Sequence, residues 1–69
     1  MFIVVIKNGG NDYFLRSTIW AFALERAQQF ATREEAAAAL QKAKPFTKAK
    51  LFKTAQILEG NKVGAFFML

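Results

Sequence analysis

The sequence predicts an α+β fold, a small antiparallel sheet with a single helix packed on one face. Three observations carry that reading. Phe2-Ile-Val-Val-Ile6 is a β-branched apolar run that leads into Lys7-Asn-Gly-Gly-Asn-Asp12, a concentration of turn formers. Thr32-Arg-Glu-Glu35 has the spacing of a capping box and opens an alanine-rich stretch that runs to Pro45. Gly60-Asn61, set between Leu58-Glu59 and Lys62-Val63, is a second hairpin turn near the other end of the chain. A length of 69 residues is one small domain.

Taken in order, the Phe2 to Ile6 run is apolar without alternation, the pattern of a central strand buried on both faces. Gly9 and Gly10 can take positive φ, and Tyr13-Phe-Leu-Arg16 returns, so residues 1–16 read as a β-hairpin. Residues 18–30 fit two templates. Trp20, Ala23, Leu24, Ala27 and Ala31 lie on one helical stripe, which predicts a helix from about Thr18 to Phe30. The competing reading, and the preferred one, is a short third strand around Ile19–Phe22 followed by one helical turn from Leu24 to Gln28.

Thr32 to Lys44 is the element the residues specify best. The Thr32 hydroxyl is placed to accept the Glu35 amide, and the Glu35 carboxylate to reach back to the Thr32 amide. Glu34 and Glu35 lie in the first turn and Lys42 and Lys44 in the last, each sign at its favourable end of the helix dipole. Four consecutive alanines have the highest intrinsic helix propensity. Pro45 is expected to end the helix by forcing Lys44 out of the α region. The expected buried stripe is Ala36, Ala37, Leu40 and Ala43, a small face suited to close packing on a sheet.

The succession Tyr13-Phe-Leu, Trp20, Ala27, Phe30 and Thr32-Arg-Glu-Glu-Ala36 resembles a pattern found in short hypothetical proteins, many from phages and prophages. In that pattern a Tyr-Leu strand leads to a Trp strand and then to an "Ala-x-x-Phe-x-Thr-x-Glu-Glu-Ala" helix start. The match covers residues 1–40. The resemblance implies a β-rich layer crossed by one helix and carries no characterised activity. Phe22, Ala23 and Leu24 depart from it, standing where the pattern has polar turn residues.

Beyond Pro45 two readings again compete. Alternation from Lys48 places Ala49, Leu51, Ala55 and Ile57 on one face and Lys48, Lys50, Phe52, Thr54 and Gln56 on the other, as in a strand. Leu51, Phe52, Ala55 and Leu58 also fit a helical period ending at Gly60. The hairpin turn at Gly60-Asn61 favours the strand, with Gly64-Ala-Phe-Phe-Met-Leu69 as a last strand closing the sheet. The expected order is β-β-(β)-α-β-β.

Composition argues against whole classes of chemistry. The chain has no His and no Cys, so the usual general base near neutral pH, the thiol nucleophile and the soft metal ligands are all missing. Its five acids are Asp12 in a turn, Glu25 in the ambiguous segment, the capping pair Glu34 and Glu35, and Glu59. Their spacing suggests neither a catalytic carboxylate pair nor an oxygen-ligand metal site. Gly9-Gly10 lacks the third spaced glycine and the following helix of a phosphate-binding loop. No enzyme, cofactor or metal is expected. No run approaches the length of a membrane span and no basic region precedes an apolar leader, so a cytoplasmic protein is expected.

Charge is the informative quantity. Lys+Arg 10 against Asp+Glu 5 leaves +5, and Lys42, Lys44, Lys48, Lys50 and Lys53 supply all of it in a stretch without an acid. Phe46 and Phe52 are interleaved with these lysines. That pattern points to a non-catalytic binding module that takes nucleic acid through phosphate contacts and base stacking; what the resemblance implies is the kind of module that small mobile-element accessory proteins use. The candidate site is Lys42, Lys44, Phe46, Lys48, Lys50, Phe52 and Lys53, with Lys48, Lys50 and Phe52 sharing one face if the segment is a strand. The runner-up partner is an acidic protein surface. The plainer alternative is a solvated basic edge that discourages sheet aggregation. The apolar Phe66, Phe67 and Leu69 further suggest a homodimer, since 54% hydrophobic residues exceed what so small a core hides.

Overall fold

A computed structural model describes residues 1–59 of the chain. Four antiparallel strands, β1 (Phe2–Asn8), β2 (Asn11–Arg16), β3 (Ile19–Ala21) and β4 (Gln56–Glu59), form one sheet in the order β3-β2-β1-β4. The principal helix, α1 (Arg33–Ala43), lies on one face, and a single short turn of helix, α2 (Ala49–Phe52), precedes β4. This is the expected α+β layer. The expectations of a hairpin turn at Gly60-Asn61, a last strand and a dimer contact through Phe66, Phe67 and Leu69 fall on residues outside those described.

The hairpin of β1 and β2 forms because Gly9 and Gly10, at φ 59° and 92°, both take the left-handed conformations that a two-residue connection between Asn8 and Asn11 demands. The next turn makes the same demand on a residue poorly suited to it. Ser17 has φ 57°, and its amide is held by the Gln28 side chain at 2.8 Å.

Residues 18–30 take the strand reading. β3 pairs Leu15 with Trp20 and Phe14 with Ala21, and a 3-10 turn follows at Leu24–Arg26. Pairing satisfies the free edge of β2 and places Trp20 beside Leu15 on the core face, which a helix over the same residues would not do. The chain then returns to β1, where Phe30 and Phe2 exchange backbone hydrogen bonds of 2.7 and 2.8 Å.

The core lies between α1 and the sheet. Val4, Leu15, Phe30, Ala36 and Ala43 are buried there, with Phe2, Trp20, Ala39, Leu40 and Ile57 packed around them. Ile3 and Val5, which alternate to the other face of β1, are buried as well, so the central strand is covered on both sides as its apolar run predicts. The helix stripe differs from expectation at one position. Ala39 packs inward and Ala37 is exposed, because the helix centres its buried face on the i, i+3, i+4, i+7 row from Ala36.

Both ends of α1 carry small corrections. The Thr32 hydroxyl accepts the Glu35 amide at 3.1 Å as expected, but the Glu35 carboxylate accepts from the amide of Ala31, at 3.3 Å, rather than from that of Thr32. At the other end Lys44 stays helical, with φ −53° and ψ −47°, and the chain tightens into a 3-10 turn over Lys44–Phe46. Pro45 sits in the first turn of that segment, where a missing amide hydrogen leaves no carbonyl unpaired.

The long strand expected from Lys48 does not form. Residues 49–52 make a helical turn, and strand pairing begins only at Gln56, opposite Val5. Two constraints explain this. Leu51, Phe52 and Ala55 become half-buried together at helical spacing. The amide of Lys7, which a longer strand would have engaged, is instead taken by the Thr54 hydroxyl at 2.9 Å.

Candidate nucleic-acid interface

The basic residues lie on the connection from α1 to β4. Lys42 is in the last turn of α1, Lys44 opens the 3-10 turn, Lys48 precedes α2, Lys50 lies within it and Lys53 follows it. All five are exposed, and neither the 3-10 turn nor α2 contains a fully buried residue. No acid occurs in the sequence between Glu35 and Glu59, so the connection carries positive charge alone. Lys42 and Lys44 also face the negative end of the α1 dipole, which favours cations there.

Two threonine hydroxyls hold this solvent-facing segment in place. Thr47 Oγ1 accepts the Trp20 indole N–H at 2.9 Å and donates to the Ala43 carbonyl at 2.7 Å, tying the connection to β3 and to the end of α1. Thr54 Oγ1 accepts the Lys7 amide and donates to the Leu51 carbonyl at 2.6 Å, closing α2 against the far end of β1. Each hydroxyl uses both its donor and its acceptor capacity, so each position is set by direction as well as by contact.

The structure separates the two aromatic residues that the sequence reading placed together, and only Phe52 departs from expectation. Phe52 is half-buried, and the Lys44 ammonium lies over its ring at 5.5 Å from the centroid, a cation–π geometry. One face of the ring therefore already has a partner. The shared face of Lys48, Lys50 and Phe52 depended on a strand, and on the helical turn Lys50, two positions from each of the others, no longer shares their side. Phe46 is the reverse case, with 69% of its surface exposed at the end of the 3-10 turn.

Sequence reasoning missed three participants. Lys7 is exposed, and its backbone pairs with Thr54, immediately beside Lys53, which brings a sixth lysine to the border of the basic surface. Trp20 and Thr47 set where the segment lies. No local signal could have identified them, because each acts through a partner distant in sequence.

Among the described residues no group of three acidic side chains comes together to hold a metal ion, and no helix is long and apolar enough to cross a membrane. Comparison of the chain with protein-family models, with curated proteins and with solved structures found no match.

Proposed function

We propose that the protein is a non-catalytic binding domain that holds nucleic acid on the connection between α1 and β4. The observation that carries this reading is the segregation of charge. Lys42, Lys44, Lys48, Lys50 and Lys53 are exposed on one acid-free segment whose backbone is tethered at Thr47 and Thr54. Ammonium groups presented in this way act as point charges against a phosphate backbone, releasing condensed counterions and binding without reading sequence.

Titration with short oligonucleotides at increasing salt tests the reading. If all five lysines reach phosphates, log affinity falls against log salt with a slope of roughly −3.5 on single strands or −4.5 on duplex, which are upper limits. Lys50→Ala weakens binding to every sequence about equally and flattens the slope by about one contact. An acidic protein surface is the competing partner and shares the salt dependence, so the oligonucleotide itself makes the distinction. Absence of binding at about 50 mM salt, with the domain folded, overturns the proposal and leaves the acidic protein in its place.

A further inference from the structure

Resting on the nucleic-acid reading of the same surface, we infer that the site selects unpaired strands, with Phe46 as the residue that stacks on a base. Two other rings are set aside on different grounds. Phe52 has the Lys44 ammonium over one face, and Phe22, although 80% exposed, meets Tyr13 edge to face with centroids 5.0 Å apart and lies outside the lysine segment. Phe46 offers 69% of its surface to solvent from the centre of the lysine segment, with Lys44 two residues before it and Lys48 two residues after.

The ring stands on a prepared base. Pro45 restricts the backbone immediately before it, and Thr47 immediately after it is held by hydrogen bonds of 2.9 and 2.7 Å to Trp20 and Ala43. Little backbone freedom remains to be lost when the ring meets a ligand, which favours binding. An apolar ring flanked by cations is suited to a ligand that alternates apolar faces with phosphates, and a single strand does so at every nucleotide. A duplex buries those faces in its own stack and offers a turn-borne ring only its phosphates. The acid-free flanks also favour this polyanion over an uncharged apolar peptide.

The test is fluorescence anisotropy on the whole protein with three probes: a labelled oligothymidylate, a duplex of equal length, and inorganic polyphosphate, which has charge without bases. The expected order is oligothymidylate ahead of duplex and polyphosphate. Phe46→Ala weakens oligothymidylate binding by about 5- to 140-fold and leaves polyphosphate unchanged, while Phe46→Trp preserves or tightens it. Phe46→Leu, which keeps the apolar bulk and removes the π face, behaves like Phe46→Ala if the ring stacks. Retention of full affinity in Phe46→Leu, or an equal loss on all three probes, overturns the stacking assignment while the charge-based reading stands. Failure of the wild-type protein to bind either oligonucleotide overturns both.

Discussion

The two helical regions of the molecule are held by different means. α1 is fastened by burial, with Ala36 and Ala43 inaccessible, Ala39 and Leu40 packed beside them, and a side-chain cap at Thr32. The connection that follows, from the 3-10 turn through α2, contains no fully buried residue and keeps its position through Thr47 and Thr54. The comparison teaches that a charged surface need not be anchored by a core beneath it. Directional hydrogen bonds at its two ends can place it while the lysines between them stay in solvent. A segment built this way tolerates change in its charges and is sensitive at its tethers.

The largest expected effect tests the buried region. Leu40→Ala removes a half-buried side chain between helix and sheet and should cost about 2–3 kcal/mol, at the lower end for such truncations. Thermal or denaturant unfolding measures it, and a silent substitution would mean that α1 is not held by packing. The tethered region should respond next. Thr47→Val keeps the shape and suits the extended backbone at this position (φ −124°, ψ 134°), so it isolates the hydroxyl. Loss of the Trp20 partner should cost about 1–2 kcal/mol. Hydrogen exchange should rise over residues 44–52 more than over α1, and uniform acceleration across both regions would erase the distinction between them.

Thr32→Ala sharpens the contrast from the other side. It removes one cap from a helix that also has burial to support it, and should cost about 1 kcal/mol of global stability. Exchange should increase most in the first turn of α1, beyond the rise shared by the whole domain. The smallest effect belongs to the lysines. Lys48→Gln and Lys50→Gln together should leave stability within about 0.5 kcal/mol while lowering the charge available to a ligand. A substantial fall in melting temperature would show that these side chains contribute to the fold and are not simply presented to solvent.

How much of this was legible follows from the range of each signal. The first hairpin is written locally, since Gly9 and Gly10 permit the conformations that their turn requires and the short, β-branched apolar run beside them suits a buried strand. The start of α1 is equally local, because Thr32 and Glu35 meet within one helical turn. Lys42, Lys44, Lys48, Lys50 and Lys53 are exposed as an uninterrupted basic stretch implies. Residues 18–30 and 48–58 were ambiguous because their apolar residues satisfy periods of both 2 and 3.6.

What the sequence determined by itself was the α+β class, the β1–β2 hairpin, the capped start of α1 and the place along the chain where charge accumulates. Each depends on residues within a few positions of one another. Tertiary structure decided the rest. The open edge of β2 drew Ile19–Ala21 into the sheet, and the Lys7 amide took Thr54 where a longer β4 would have continued. Lys44 came to lie over Phe52 while Phe46 stayed exposed, which separated two rings that local spacing had placed together in the candidate site. The physical reason is common to all three. A backbone edge, an amide and a ring face are each satisfied by whichever partner the fold brings within reach, and those partners lie too far along the chain, or too evenly matched in pattern, for local spacing to choose among them.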